Sequence, residues 1–172
     1  RASTRRTSPG CGAAATTISG LDHLEGETVA ILADGSVHPN RTVSGGSITL
    51  QRAASVVNVG LPYTAKMVTL PIEAGSQDGT AQGKTQRVNG LVVRLHETGP
   101  GLFYGDGTTM DELHLRTSAM ARDAPVPLFT GDTEILPFPG GYEKGVVMTL
   151  EHRLPLPCTI VALMPQLSTY DR

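Results

Sequence analysis

Glycine and proline interrupt this sequence too often for long helices to form. The chain holds 20 glycines and 12 prolines among 172 residues, about one residue in five, where an average globular protein has about one in eight. The density stays below the about 25–30% that marks a low-complexity chain. Between the breakers lie short apolar runs rich in valine, isoleucine and threonine, which are strand formers. Charged residues are 17% and hydrophobic residues 39%. That is too little charge for a disordered polyelectrolyte or a coiled coil. The length suits one domain, with or without a tail, and is enough to bury a core. Together these features predict an all-β fold, an antiparallel β-sandwich or distorted β-barrel of many short strands.

The pattern along the chain agrees. Residues 1–20 are small and polar with no sustained period, and they read as a flexible N-terminal arm or linker that enters the fold near Thr16–Ile18. Residues 21–172 read as one all-β structural domain. Thr28–Ala33 (TVAILA) is apolar on both faces, as a mostly buried strand must be. Asp34-Gly35-Ser36 and Ser44-Gly45-Gly46 are turns, and Gly26 and Gly35 need backbone freedom. Pro39-Asn40 breaks the chain between them, with a new short strand from Arg41. Lys66 and Pro71 suit an edge strand. Residues 75–83 read as an exposed loop. Residues 87–97 set Leu91, Val93 and Leu95 against Val92, Arg94 and His96, and residues 111–117 set Leu113 and Leu115 against Glu112, His114 and Arg116. Residues 145–153 and 158–164 are the strongest late strands, separated by Leu154-Pro155-Leu156-Pro157, which prevents a smooth ladder.

The net charge is −2, from 14 basic and 16 acidic residues. Three of the basic residues, Arg1, Arg5 and Arg6, fall in the first six positions, so the remainder is more acidic than the total. This balance argues against a surface built to grip nucleic acid. No apolar run approaches the about 18 residues of a membrane helix, so no membrane span is expected. Cys11 and Cys158 read as two free thiols.

Candidate chemistry is sparse. Gly83-Lys84-Thr85 ends like a phosphate-binding loop, but position 78 is Asp78 where the motif needs glycine, and a strand follows where it needs a helix. The five histidines, His23, His38, His96, His114 and His152, make no H-x-x-x-H or H-E-x-x-H spacing. His96-Glu97 and Glu112-x-His114 are the closest approach to a ligand set, and they read as solvated strand faces. No G-x-S-x-G elbow is present. Asn40-Arg41-Thr42 matches a glycosylation sequon, which matters only in a secreted eukaryotic chain. Aromatic residues are 4%, without tryptophan, which is poor material for a sugar or base platform. The expectation is no catalytic residue, no metal and no cofactor. A structural or binding module is the reading of the residues themselves.

Two stretches carry a resemblance. Residues 12–43, followed by SGGSITL at 44–50 and AASVVNVGLPY at 53–63, contain Gly20-Leu21-Asp22-His23-Leu24-Glu25-Gly26 feeding a strand and then an Asp-Gly turn. The second stretch contains Phe129-Thr130-Gly131-Asp132, Pro137-Phe138-Pro139-Gly140-Gly141, Leu154-Pro155-Leu156-Pro157 and residues 162–165. In order and spacing both resemble the tail nozzle proteins of short-tailed bacteriophages, also called tail tubular protein B. The likeness runs from about residue 12 to the end and is loose over residues 75–117. Family members are longer, so the resemblance implies the carboxy-terminal part of one, in keeping with a first residue other than Met.

It further implies a non-enzymatic virion protein at the distal part of the tail, in a homo-oligomeric, hexameric ring that extends and closes the DNA-ejection channel. Its partners would be other copies of itself, the tail adaptor protein, tail fibres or spikes, and viral DNA passing without sequence-specific binding. In this reading His23-Leu24-Glu25-Gly26 is a turn that positions the following strand, His23 bonds a backbone carbonyl and Glu25 braces that same turn. The rival readings are a receptor- or glycan-binding β-sandwich on a virion or cell surface, and a hydrolase using an Asp/Glu pair.

Overall fold

Strand formation follows the predicted periodicities closely in the computed structural model, which describes residues 3–7 (backbone only), 14–73, 83–120 and 124–170. The described residues are nearly all strand and turn. One 3-10 turn at Asp22–Leu24 is their only helical element. The chain divides into two units. The described residues of the first fall within Arg1–Tyr63, Ser118–Val126 and Leu154–Leu156, and those of the second within Thr64–Thr117, Pro127–Arg153 and Pro157–Arg172.

The first unit has a four-stranded antiparallel sheet and a two-stranded one. The strands are β1 (Ser3–Thr7), β2 (Ala15–Ser19), β3 (Thr28–Ala33), β4 (Ser36–Thr42), β5 (Ser47–Ala54) and β6 (Val56–Gly60). The larger sheet runs β1-β6-β3-β4, and β2 pairs with β5. Val29, Ile31 and Ala33 of β3 pack with Val57 and Val59 of β6 and with Ile48 and Leu50 of β5. The core thus joins side chains from both sheets, as in a sandwich. Asp34 and Gly35 have φ of 48° and 78°, the primed two-residue turn that matches strand twist, and Ala33 pairs with Ser36 across it.

The second unit is built around β8 (Thr85–Thr98). Along one edge, β8 pairs in turn with β11 (Phe129–Asp132), β12 (Leu136–Pro137) and β13 (Glu143–Lys144), and along the other with β15 (Ile160–Tyr170). A second antiparallel sheet runs β10-β9-β14-β7, from β10 (Met110–Glu112), β9 (Leu102–Gly105), β14 (Thr149–His152) and β7 (Ala65–Val68). Leu91, Val93 and Leu95 of β8 pack with Leu102 and Tyr104 of β9, Leu150 of β14, and Phe138. Val92 is half-buried and Arg94 and His96 are exposed, which is the predicted alternation.

Four expectations are revised. The stretch 21–172, expected as one domain, divides between two units, while Ala15–Ser19, where the arm was expected to enter the fold, is a strand held by β5. Pro39-Asn40 does not end a strand. β4 runs through it because β4 is an edge, where a missing N–H leaves no neighbour unpaired, and because the register with β3 shifts between Val29 and Ile31. Residues 111–117 keep their alternation, but pairing stops at Glu112. β15 continues past Pro165 to Tyr170 for the same reason as β4, since among the described residues it pairs with β8 alone. Cys11 and most of the loop at 75–83 lie outside the described residues.

Candidate functional site

The sequence-derived candidates do not converge. Gly83 has φ +79° and leads directly into β8, so no helix N-terminus follows Thr85 to receive a phosphate. Asp78 lies outside the described residues. Gly83 instead borders an open concavity of about 430 Å³ with Leu70, Pro71, Ile72, Glu73, Gln86 and Gly145. His96 is exposed on β8, and its backbone N–H donates to Thr159. Glu97 follows with φ 44°, and its N–H donates to the Thr130 hydroxyl. Glu112 and His114 are both exposed. Among the described residues, no group of three His, Cys, Asp or Glu side chains is placed to hold a metal ion. Cys158 is a free, half-buried thiol, and burial pushes its pKa up, which makes it a poor nucleophile. Asn40 of the sequon is exposed on β4.

The acidic residues are engaged mechanically. Glu25 accepts hydrogen bonds from the N–H groups of Gly45 (2.8 Å) and Gly46 (2.7 Å). Those glycines form the turn before β5, with φ of 58° and 63°. Glu25 therefore braces a turn, though not the one it belongs to. A Cβ on Gly46 would meet the Asp22 carboxylate, so a side chain there would displace Asp22, and the positive φ favours glycine as well. Asp34 accepts from the N–H of Ser55 and of Val56 (2.7 Å), tying the β3–β4 turn to the start of β6. Asp106 accepts from the N–H groups of Thr108 and Thr109 at 2.7 and 2.6 Å. Arg94 grips Asp132 through two bonds of 2.6 and 2.8 Å. Glu151 takes both Lys66 (3.3 Å) and Arg153 (2.7 Å), while the Arg153 guanidinium lies 4.1 Å from the Phe103 ring centroid.

The neutral imidazole of His38 is also structural. Its Nε2 accepts from the Gln51 N–H at 2.9 Å, so Nδ1 carries the proton and donates to the Pro39 carbonyl at 2.8 Å. It fills the irregular stretch of β4 and links it to β5. Sequence reasoning missed these roles, apart from the expectation that Glu25 braces a turn. The partners of Glu25, Asp34 and Arg94 lie 20 or more residues away and leave no local signature, and Asp-Gly at 34–35 and 106–107 marks a turn without naming what its carboxylate holds.

These bonds have a pH consequence. Backbone N–H groups hold the Glu25 carboxyl below its ordinary 4.5 and the Asp34 carboxyl below its ordinary 3.8. The stability they contribute is complete above those ordinary values and is lost as pH falls through the lowered folded values. The urea midpoint should therefore drop on acidification below about pH 4.5. The double variant Glu25→Gln, Asp34→Asn should show a shallower drop, and an unchanged slope would mean these bonds do not couple to folding.

Compared with known proteins, the sequence matches no family model and no curated protein. Among the described residues no helix is long and apolar enough to cross a membrane. The fold and the engaged carboxylates define a nearly all-β chain of two sandwich-like units with many braced turns.

Proposed function

We propose that the chain is a structural subunit of a phage tail nozzle, part of a homo-oligomeric ring at the distal end of a short tail. In this role it extends and closes the channel through which DNA leaves, and it performs no chemistry. The observation that carries the reading is the Gly20–Gly26 motif of the nozzle-like stretch, together with what its Glu25 does. That carboxylate clamps the turn into β5 through two backbone bonds, a mechanical use of a motif residue. Turns braced by Asp34 and Asp106 fit the same demand for a domain that resists deformation. The mildly acidic balance repels DNA, which suits a conduit better than a trap. The tail adaptor, the fibres or spikes and other copies of the chain are its neighbours in this reading.

The test is antibody labelling on intact particles viewed by electron microscopy. The expected result is label at the distal end of a short tail. Label on fibres or cell envelope overturns the nozzle reading and favours the receptor- or glycan-binding module. Turnover of a glycan or ester lost on a single carboxylate substitution, with folding intact, overturns it in favour of a hydrolase.

A further inference from the structure

His152 is the last residue of β14, and it is 8% exposed. Its Nε2 has no hydrogen-bond partner among the described residues, while the ring bonds the Pro100 carbonyl. A ring bonding a carbonyl must donate, so Nδ1 carries the proton and Nε2 presents a bare lone pair. The position of this ring in the chain is unusual. Its register partners are Leu102 on β9 and Ala65 on β7. Ala65 is the second residue after the chain enters the second unit at Thr64. The residue after His152, Arg153, is the last before the chain leaves that unit at Leu154, and it returns at Pro157. The Pro157 carbonyl accepts from the N–H of Gly99, next to Pro100.

We propose that His152 is a proton-operated latch, closing the end of β14 onto β7 and β9 when neutral and releasing that end when Nε2 takes a proton. A cation there would be buried without an acceptor, which is costly. The charged groups nearby do not compensate. Lys66 of β7 and Arg153 both pair with Glu151, whose side chain points to the opposite face of the sheet from that of His152. β9 presents Leu102. No described charged side chain contributes to the titration of His152, and burial pushes its pKa below the ordinary 6.5. A lowered folded value for a histidine means that stability is complete above 6.5 and declines as pH falls from there toward the folded value.

The experiment is amide hydrogen exchange by NMR on the native chain between pH 5 and 8. Protection factors in β7 and at Thr149–His152 should fall by up to about tenfold per pH unit below 6.5, while those in the middle of β8 hold. His152→Gln keeps a donor for the Pro100 carbonyl and takes no proton, so its protection should not vary with pH over this range. Protection independent of pH in the native chain overturns the latch, as does a pH dependence that survives in the variant. Should the variant fail to fold, the ring resonances of His152 in the native chain decide. Loss of protection in β7 that follows a His152 titration below 6.5 upholds the proposal, and titration at or above 6.5, or protection in β7 that does not follow it, overturns it.

Discussion

Gly105→Ala is expected to destabilise the second unit by about 3 kcal/mol, at the upper end of what overpacking costs. A Cβ at this position would lie 2.0 Å from the Thr109 carbonyl oxygen and 3.0 Å from both the Thr109 carbonyl carbon and the Met110 Cα. All three are backbone atoms, so no side chain can rotate aside. The backbone has little room to yield. Gly105 pairs with Met110 on one side and Thr149 on the other, and the connecting turn is fixed by Asp106 through Thr108 and Thr109. The glycine serves close approach here, since its φ is not in the left-handed region. Gly141→Ala is the control. Its Cβ would meet nothing within 4 Å, and its effect should stay within about 0.5 kcal/mol. Urea unfolding of the two variants measures the difference. Equal midpoints would mean that the β9–β10 turn relaxes freely.

What the sequence made legible was local. Thr28–Ala33 and Leu91, Val93 and Leu95 announce their buried faces because side-chain period follows directly from strand geometry. Asp34-Gly35 announces its turn because few other pairs adopt positive φ twice. What was not legible depends on partners distant in the chain. Pro39 reads as a breaker until the sheet order places its strand on an edge. The division into two units could not be read, because the first unit gathers described residues within Ser118–Val126 and Leu154–Leu156 from far along the chain. Arg94 and Asp132, 38 residues apart, are two unremarkable charges until β8 and β11 pair. The candidate histidines and carboxylates fared the same way. Glu25 could be expected to brace a turn, yet the turn it holds lies 20 residues on.

The same dependence on long-range pairing makes Leu91 a consequential core position. It is 0% exposed, pairs with Leu136 of β12 on one side and with Pro165 of β15 on the other, and packs in the core where β8 meets the second sheet. Leu91→Ala removes contacts that both flanking strands share, and the ladders around it limit collapse into the space. The expected loss is about 2–5 kcal/mol, the range for a buried leucine whose cavity persists. Val92→Ala, one residue on and half-buried on the other face, should cost less than about 1.5 kcal/mol. The comparison matters more than either value, because neighbouring residues share backbone pairing and differ in the face they occupy. Chemical denaturation of both variants supplies it. A Val92 variant as damaged as the Leu91 variant would mean that the outer face of β8 is covered in solution, and the assignment of the core to one side of that strand would fail.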